Sequence, residues 1–330
     1  MLMSGPRQHI LTAIQAALLL LVCAAAPASG ALPDSASFAP YGLRTEMILD
    51  RDALEAAGIH RPTRLVYDSD GNLHVLDEEA RRVVKLDPKG RAIYDVGGYG
   101  TDEASLELPV DIVVDRDQSL LVLDRGRGAL IAYDRAGRFL GQRLFQGEAA
   151  EESREAGARI LLDRFGKLWL LSPRARDLVA LDDRLEPKRT TRFLLPEDSL
   201  RQPMAVASTP GGSFWILDAG RPALLRFDPS GRLSQSLPFD HASERLSLTD
   251  LAVDRAGYLY VGDRLNQSVR AFGEDIDGLF ITLRVFGGDR IAWRPAAVAV
   301  GPRRQIALAD PERDEIQIVV PVPRIDRVRP

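Results

Sequence analysis

The sequence predicts an all-β fold, a six-bladed β-propeller built from four-stranded antiparallel blades. The first observation is a phrase that recurs along the chain, an Asp-led turn and then an apolar run that ends on Asp: DSDGNLHVLD, DRDQSLLVLD and DRAGYLYVGD. The second is its spacing, since the residues that end the apolar run lie 45 to 48 positions apart: Asp77, Asp124, Ser172, Asp218, Asp263 and Asp310. A regular period of this length through most of a chain indicates a repeat architecture.

The third observation concerns the first strand of each repeat, which is apolar at consecutive positions, as in LVY (65–67), IVV (112–114) and ILL (160–162). A strand without a polar face must be covered on both faces. One four-stranded sheet cannot provide this cover, but six sheets packed face to face in a ring can, with these strands innermost. A β-solenoid usually has a shorter period and a pair of β-sandwiches has no fixed one, so the propeller is favoured.

Turn signals separate the strands within each repeat. The second repeat divides into DIVVD (111–115), LLVLD (120–124), ALIAYD (129–134) and RFLGQRLF (138–145). The DRAG sequence between its last two strands places Asp first and Gly last, which is typical of a tight hairpin turn. The third repeat departs from the pattern, with Ser172 in place of Asp and DRLEP in place of an Asp-x-x-Gly turn. We therefore expect irregular geometry in the third blade.

Residues 1–31 have the features of a secretory signal peptide. An apolar run at 10–26 is followed by small residues, and we expect cleavage near residues 28–31. The run is short for a membrane span, which needs about 20 residues. The only cysteine, Cys23, lies inside the signal; a lipid anchor on it is the alternative, but Val22 stands where such signals normally have Gly, Ala or Ser. We expect a periplasmic or secreted protein.

The rest of the chain divides into an N-terminal segment (32–59), the propeller (60–322) and a C-terminal tail (323–330). The sixth repeat lacks an obvious fourth strand, because a charged tail interrupted by prolines follows EIQIVVP (315–321). We expect RTEMILD (44–50) to supply the missing outer strand. Such closure ties the two ends of the chain together and removes free sheet edges.

The composition limits the classes of partner. The chain is 45% apolar and 27% charged, with a formal net charge of −4 at pH 7. Nucleic-acid binding is driven by neutralisation of phosphates, so a mildly acidic exported protein does not favour it. We expect a monomer without a membrane span, whose partner is another envelope or secreted protein or a small anionic ligand.

The fifth repeat, DRAGYLYVGDRLNQSVRAF (254–272), resembles the NHL repeat in its Gly-apolar-aromatic-Val-x-Asp core, in Asn266 and in the Val-x-x-Phe that follows. The resemblance extends over residues 60–320, although Gln267 stands where the family has His. It implies the propeller fold. Propellers of this kind include protein-binding scaffolds, RNA-binding modules, amidating lyases and calcium-dependent lactonases, so function must be sought in individual residues.

Few residues suit a metal site. Zinc chemistry on such a scaffold would need several histidines at the channel, and the four present lie at unrelated points of the repeat: His9, His60, His74 and His241. The segment DSDGN (68–72) lacks the Gly and Glu positions of an EF-hand and is interpreted as a hairpin turn in solvent. The recurring Asp at the end of the second strand is interpreted as a cap of turn amides. We expect no cofactor, with calcium as the one alternative.

Two sets of side chains are not dictated by the repeat. The first residue of the innermost strand is charged in four blades, which defines the inner set: Arg64, Asp111, Arg159 and Asp250. The turn after the second strand carries the outer set: Arg81, Arg127, Arg176, Arg221, Asn266 and Arg313. Both sets should lie on one face of a propeller. Planar guanidinium groups around a channel mouth suit an anion.

The sequence thus favours a non-catalytic scaffold that binds a protein or ligand through this Arg-rich face. The alternative is a calcium-dependent hydrolase of the lactonase or sugar-acid type, with Asp111 and Asp250 at the channel mouth.

Overall fold

The computed structural model describes residues 41–194, 201–220, 222–239, 245–274, 280–286 and 294–323. Within these ranges, 24 strands form six four-stranded antiparallel sheets, which confirms the predicted six-bladed β-propeller. The predicted signal peptide (1–31), with His9, and also Arg221, His241 and the tail after residue 323 lie outside the described residues. In the part of the chain that is described, no helix is long and apolar enough to cross a membrane.

The described chain opens with β1 (Tyr41–Leu49) and the short helix α1 (Arg51–Ala56). Each blade then uses its strands in order from the axis outward. Blade 1 comprises β2 (Pro62–Tyr67), β3 (Leu73–Asp77), β4 (Arg82–Leu86) and β5 (Ala92–Gly97), and blade 2 comprises β6 (Pro109–Val114), β7 (Leu120–Asp124), β8 (Ala129–Tyr133) and β9 (Phe139–Leu144). Helix α2 (Ala149–Glu152) leads into blade 3, which comprises β10 (Arg159–Leu162), β11 (Leu168–Ser172), β12 (Asp177–Leu181) and β13 (Pro187–Leu194).

The second half of the ring repeats this order. Blade 4 comprises β14 (Pro203–Ser208), β15 (Phe214–Asp218), β16 (Ala223–Phe227) and β17 (Leu233–Pro238), and blade 5 comprises β18 (Leu248–Val253), β19 (Leu259–Asp263), β20 (Ser268–Glu274) and β21 (Phe280–Phe286). Blade 6 comprises β22 (Ala297–Val300), β23 (Ile306–Asp310), β24 (Glu315–Pro323) and β1.

The six innermost strands form a closed ring. Each contacts the innermost strand of the next blade, and β22 of blade 6 contacts β2 of blade 1. The second strand is buried at every position in all six blades. The apolar core therefore lies in layers between blades; the layer between blades 6 and 1, for example, joins Val75, Ala307 and Ile316.

The outer strand of blade 6 comes from the N-terminal side of the chain. Strand β1 pairs antiparallel with β24, with Tyr41 opposite Pro323 and Leu49 opposite Ile316. It begins a few residues before the predicted 44–50 segment and contains an irregularity between Thr45 and Met47. This pairing places the first and last described strands side by side.

The third blade carries the largest irregularity of pairing among the described sheets. Leu181 of β12 lies opposite Pro187 of β13, but Val179 lies opposite Arg192. Between these two pairs, β12 has a single residue whereas β13 has several, so β13 bulges away from its partner strand. The other outer pairs that shift register do so by one residue. The departure that the sequence indicated in this repeat is therefore present in the backbone.

Candidate functional site

We call the face at which the inner strands begin and the second strands end the upper face. Asp124 shows how it is built. Its Oδ2 accepts a hydrogen bond from the backbone N–H of Glu107 (2.7 Å), and its Oδ1 accepts bonds from those of Leu108 (2.9 Å) and Arg127 (3.2 Å). The carboxylate thus joins its own turn to the segment that leads into the inner strand. Corresponding bonds are made by Asp77, Asp218, Asp263 and Asp310.

In blade 3, different side chains make the hydrogen bonds that join the turn to the segment before the inner strand. Ser172 Oγ accepts from the N–H of Ala175 (3.1 Å) and donates to Glu155 Oε2 (2.9 Å), which also accepts from the N–H of Arg174 (3.1 Å). Glu155 therefore supplies the carboxylate that the serine lacks. These recurring carboxylates are structural, as the sequence indicated, and they do not form a catalytic ring.

The outer set divides between two positions of the turn. Arg81 and Arg176 are the fourth residue after the end of the second strand and have left-handed φ values of 55° and 54°. Arg127, Asn266 and Arg313 are the third residue and have no such values. These side chains therefore leave the backbone at different points of the upper face.

Several members of the outer set are engaged in contacts within the fold. The guanidinium group of Arg127 donates to the carbonyls of Asp102 (3.0 Å) and Glu103 (3.2 Å) and to Ser105 Oγ (2.9 Å). Asn266 Nδ2 donates to Asp263 Oδ2 (2.8 Å) and to the carbonyl of Arg245 (2.9 Å).

Arg81 stacks over the ring of Tyr99, with 4.6 Å between its Cζ and the ring centroid. These contacts hold upper-face loops in place. They leave Arg81, Arg127 and Asn266 less able to bind a guest than the sequence suggested.

The inner set lies at the upper end of the ring of innermost strands. Arg64 Nε is 3.9 Å from Asp111 Oδ1, with both side chains largely buried. Asp111 Oδ2 accepts from the N–H of Ile160 (2.9 Å) in blade 3, and Asp250 Oδ2 accepts from the N–H of Val298 (3.0 Å) in blade 6. Each carboxylate thus bonds to the blade that follows its own.

The charges of three members of the inner set, Arg64, Asp111 and Asp250, influence one another. Burial raises the pKa of Asp111 to about 7, and the charge of Arg64 and the N–H of Ile160 offset only part of this effect. Burial also raises the pKa of Asp250, against the opposing charge of Arg64. Asp250 contributes to the rise at Asp111, so the two carboxylates share one guanidinium group and disfavour each other's ionised form.

Arg159 makes the same kind of local contact as Arg64. One guanidinium nitrogen of Arg64 donates to the carbonyl of Thr63 (2.6 Å) and one of Arg159 to the carbonyl of Ala158 (3.2 Å). The Nε atoms of both arginines are buried and have no hydrogen-bond partner. The set therefore combines a carboxyl group that titrates near neutral pH with two guanidinium groups that retain donor capacity.

The described residues contain no group of three or more His, Cys, Asp and Glu side chains that could hold a metal ion. Calcium takes about six to eight oxygen ligands. In the inner set, Asp111 and Asp250 each have one oxygen bonded to a backbone N–H, and Arg64 already supplies positive charge to both. These residues do not fit a calcium site.

A buried polar cluster in blade 1 was missed by sequence reasoning. The Asp68 turn was expected in solvent, but Asp68 is only 3% exposed, and its Oδ2 lies 2.9 Å from the buried Nζ of Lys85. Although burial alone would raise the pKa of Asp68, polar contacts with His74, Asn72 and Lys85 lower it far below its usual range. The available signal was Lys85 itself, one of four lysines, within the apolar strand RVVKL.

In the same cluster, His74 Nε2 is 3.7 Å from Asp68 Oδ2, which is beyond hydrogen-bond distance, and neither ring nitrogen has a hydrogen-bond partner. Burial, together with the charge of Lys85, lowers the pKa of His74. His74 is therefore a neutral core residue.

No family model and no curated protein sequence matches the chain. Solved structures do resemble it. A streptogramin B lyase superposes with a TM-score of 0.60 at 11% identity, covering 86% of this chain and 98% of that one. Virginiamycin B lyase from Staphylococcus aureus gives 0.60 at 9% identity, covering 85% and 99%. A gluconolactonase from Xanthomonas campestris gives 0.53 at 16% identity, covering 86% and 95%. At these identities the likeness establishes the fold alone.

Proposed function

We propose that this chain is an enzyme that acts on a small molecule at the upper end of the ring, with Asp111 as the group that transfers a proton. The observation that carries the proposal is the buried Asp111 carboxyl group. It lies beside Arg64, experiences the charge of Asp250, and has a pKa of about 7. A group with this pKa is present in both protonation states near neutral pH, which is the condition for general acid–base catalysis.

We propose a lactone or a related sugar-acid derivative as the substrate class. Two of the structural neighbours are named as enzymes, a gluconolactonase and a streptogramin B lyase. In this chain, the guanidinium groups of Arg64 and Arg159 suit a carboxylate or a developing oxyanion. These features favour an enzyme over the non-catalytic scaffold that the sequence favoured.

The arrangement supports the following sequence for lactone hydrolysis. The Asp111 carboxylate takes a proton from a water molecule, and the water oxygen forms a bond to the lactone carbonyl carbon. The carbonyl electron pair moves to its oxygen, where Arg64 stabilises the negative charge. The electron pair on that oxygen then re-forms the carbonyl bond as the ring C–O bond breaks, and the Asp111 carboxylic acid returns its proton to the departing ring oxygen. Burial, with a smaller contribution from the charge of Asp250, keeps the pKa of Asp111 high enough for both transfers.

The test is a pH-indicator assay of the purified protein on a panel of aldonolactones and simple γ- and δ-lactones. Asp111→Asn should lower kcat by roughly 10²- to 10⁴-fold without lowering the melting temperature. Asp95→Asn is the matched control, because Asp95 lies on the surface of blade 1 with 60% of its side chain exposed. Full activity of Asp111→Asn would contradict the assignment, and an inactive wild-type protein would contradict the substrate class.

Elemental analysis of the same preparation tests the calcium alternative. We propose that catalysis uses the side chains without a bound cation, since the inner set does not fit calcium. Stoichiometric calcium that is lost in Asp111→Asn would overturn this and favour a calcium-dependent lactonase.

A second candidate is the exported NHL-type scaffold that binds another envelope protein or a small anion. It is favoured by the Nε atoms of Arg64 and Arg159, which have no hydrogen-bond partner, and by the structural bonds of Asp111 and Asp250 to neighbouring blades. In either case we propose a periplasmic or secreted monomer released by cleavage near residues 28–31. N-terminal sequencing of the exported protein would test the cleavage site.

A further inference from the structure

The opposite end of the ring, where the inner strands end and the second strands begin, is called the lower face. A cavity of about 250 Å³ lies on this face and is lined by the turns of blades 1, 2, 5 and 6. Apolar ends of inner strands contribute Val114, Val253 and Val300, and the turns contribute Arg116 and Arg255. The cavity therefore lies where inner strands from both halves of the ring converge.

Arg116 and Arg255 occupy the same position of the repeat, directly after the Asp that opens the turn. They belong to blades 2 and 5, which lie opposite each other in a ring of six. Both are exposed, and neither guanidinium group has a hydrogen-bond or ion-pair partner among the described residues. Two arginines from opposite blades thus line one cavity, and their guanidinium groups have no partner among the described residues.

The carboxylates nearby do not neutralise this pair. Asp68 is compensated by the buried Lys85 (2.9 Å). Asp254 accepts from Arg304 Nε (3.3 Å) and from the backbone N–H groups of Ala256 and Tyr258 (both 2.9 Å). That leaves Asp115 as the uncompensated carboxylate of the lining, so the cavity keeps a net positive charge.

The repeat itself does not require arginine at this position. Blades 1, 4 and 6 have Ser69, Pro210 and Pro302 there, in turns of the same type. In blade 3 the residue is Arg164, but its guanidinium group donates to the carbonyl of Pro210 (3.0 Å) and stacks on Phe165 (4.5 Å). Arg164 does not line the cavity. Arginine is therefore free only in the two turns that face each other across it.

We propose that the lower face carries an anion site in which Arg116 and Arg255 together hold a phosphate group, either free or as part of a small phosphate ester. Each guanidinium group can donate two parallel hydrogen bonds to phosphate oxygens. A volume of 250 Å³ is below the usual range of drug-sized pockets, about 300–1,000 Å³, which limits the ligand to a compact one. The three valines of the lining, Val114, Val253 and Val300, suit the carbon part of an ester.

Isothermal titration calorimetry with the full-length mature protein tests the site. Inorganic phosphate and glucose 6-phosphate are titrated separately at low salt, since exposed charges are strongly screened otherwise. We expect one-to-one saturable binding of at least one probe. Arg116→Gln and Arg255→Gln should each weaken it by about tenfold or more, as for loss of a charge-assisted hydrogen bond. Tighter binding of the ester than of phosphate would indicate that the three valines contact the carbon part of the ligand.

Arg164→Gln is the matched control, because it removes the same charge from the same repeat position outside the cavity. Its affinity should stay within about twofold of the wild type. An equal loss of affinity in Arg164→Gln would mean that the effect comes from the general surface charge, and it would overturn the site. Absence of saturable binding with both probes, or unchanged affinity in Arg116→Gln and Arg255→Gln, would also overturn it. Lactone hydrolysis serves as an independent readout, because the inner set lies at the other face.

Discussion

Asp111 and Asp124 belong to the same blade but have contrasting surroundings. Asp124 recurs in the repeat and accepts three backbone hydrogen bonds. At the repeat position of Asp111, Asp250 of blade 5 is the other aspartate. One oxygen of Asp111 accepts a backbone bond and the other faces Arg64 at 3.9 Å. Recurrence was enough to identify the structural carboxylates from sequence. The pKa of Asp111 could not be predicted in this way, because it depends on burial and on charges from other blades.

The pH dependence of stability should report on Asp111. Its pKa is about 7 in the folded protein and near 3.8 in the unfolded chain, so between these values the folded state keeps a proton that the unfolded state has lost. Stability should therefore fall as the pH rises through this window, by up to about 1.4 kcal/mol per pH unit, and level off above it. Asp111→Asn should reduce this slope, and it should unfold at a higher temperature than the wild type near pH 8.

Thermal melts at several pH values between about 4 and 8 measure this slope. Asp250 titrates in the same direction, so part of the slope should remain in Asp111→Asn. The exposed-site control Asp95→Asn should behave as the wild type. An identical slope in Asp111→Asn and the wild type would show that the folded-state pKa of Asp111 is not raised.

The blade 1 cluster allows a second test with single residues. His74→Leu should leave the free energy of unfolding unchanged or raise it, because both ring nitrogens are buried without hydrogen-bond partners and blade 2 has Leu121 at this position. Lys85→Met should lower it by about 3–5 kcal/mol, because Asp68 would keep a buried charge without its cation. Urea unfolding of both variants measures the difference. A large loss in His74→Leu would mean that the ring has a partner after all.

At the scale of strands, the alternation of apolar runs and Asp-led turns predicted most elements closely. The second strand of the second repeat, for example, was expected at 120–124 and is observed at Leu120–Asp124. The irregular pairing of β12 with β13 was indicated only as a departure from the repeat, because register depends on how two strands meet and not on either strand alone. The same holds for β1, whose partner lies at the far end of the chain.

Removal of β1 should destabilise the whole ring. Deletion of residues 41–49 would expose the hydrogen-bonding edge of β24 and would remove Leu49, which is 6% exposed and packs in the layer between blades 6 and 1. We expect a sharp fall in the melting temperature of the protein, measured by circular dichroism. A synthetic peptide of residues 41–49 added in excess should restore part of the loss. An unchanged melt would mean that β1 contributes little to closure.

At the scale of the molecule, ring closure decides which non-repeating residues meet. The period near 47 residues predicted six blades, and six blades place blade 2 opposite blade 5. Asp111 and Asp250 on the upper face, and Arg116 and Arg255 on the lower face, are both such pairs from opposite blades. The inner set was found from sequence because its members share a repeat position. The lower cavity was not, because only the packed structure shows which arginines already have partners.

The pairing of β1 with β24 also bears on the order of events during folding. Nearly the whole described chain separates these two strands, so their encounter has a high entropic cost and cannot precede the synthesis of the last repeat. Until β1 pairs with it, β24 presents an unpaired edge that can join a strand from another molecule. Refolding should therefore show a slow final phase, and high protein concentration during that phase should favour strand exchange between chains.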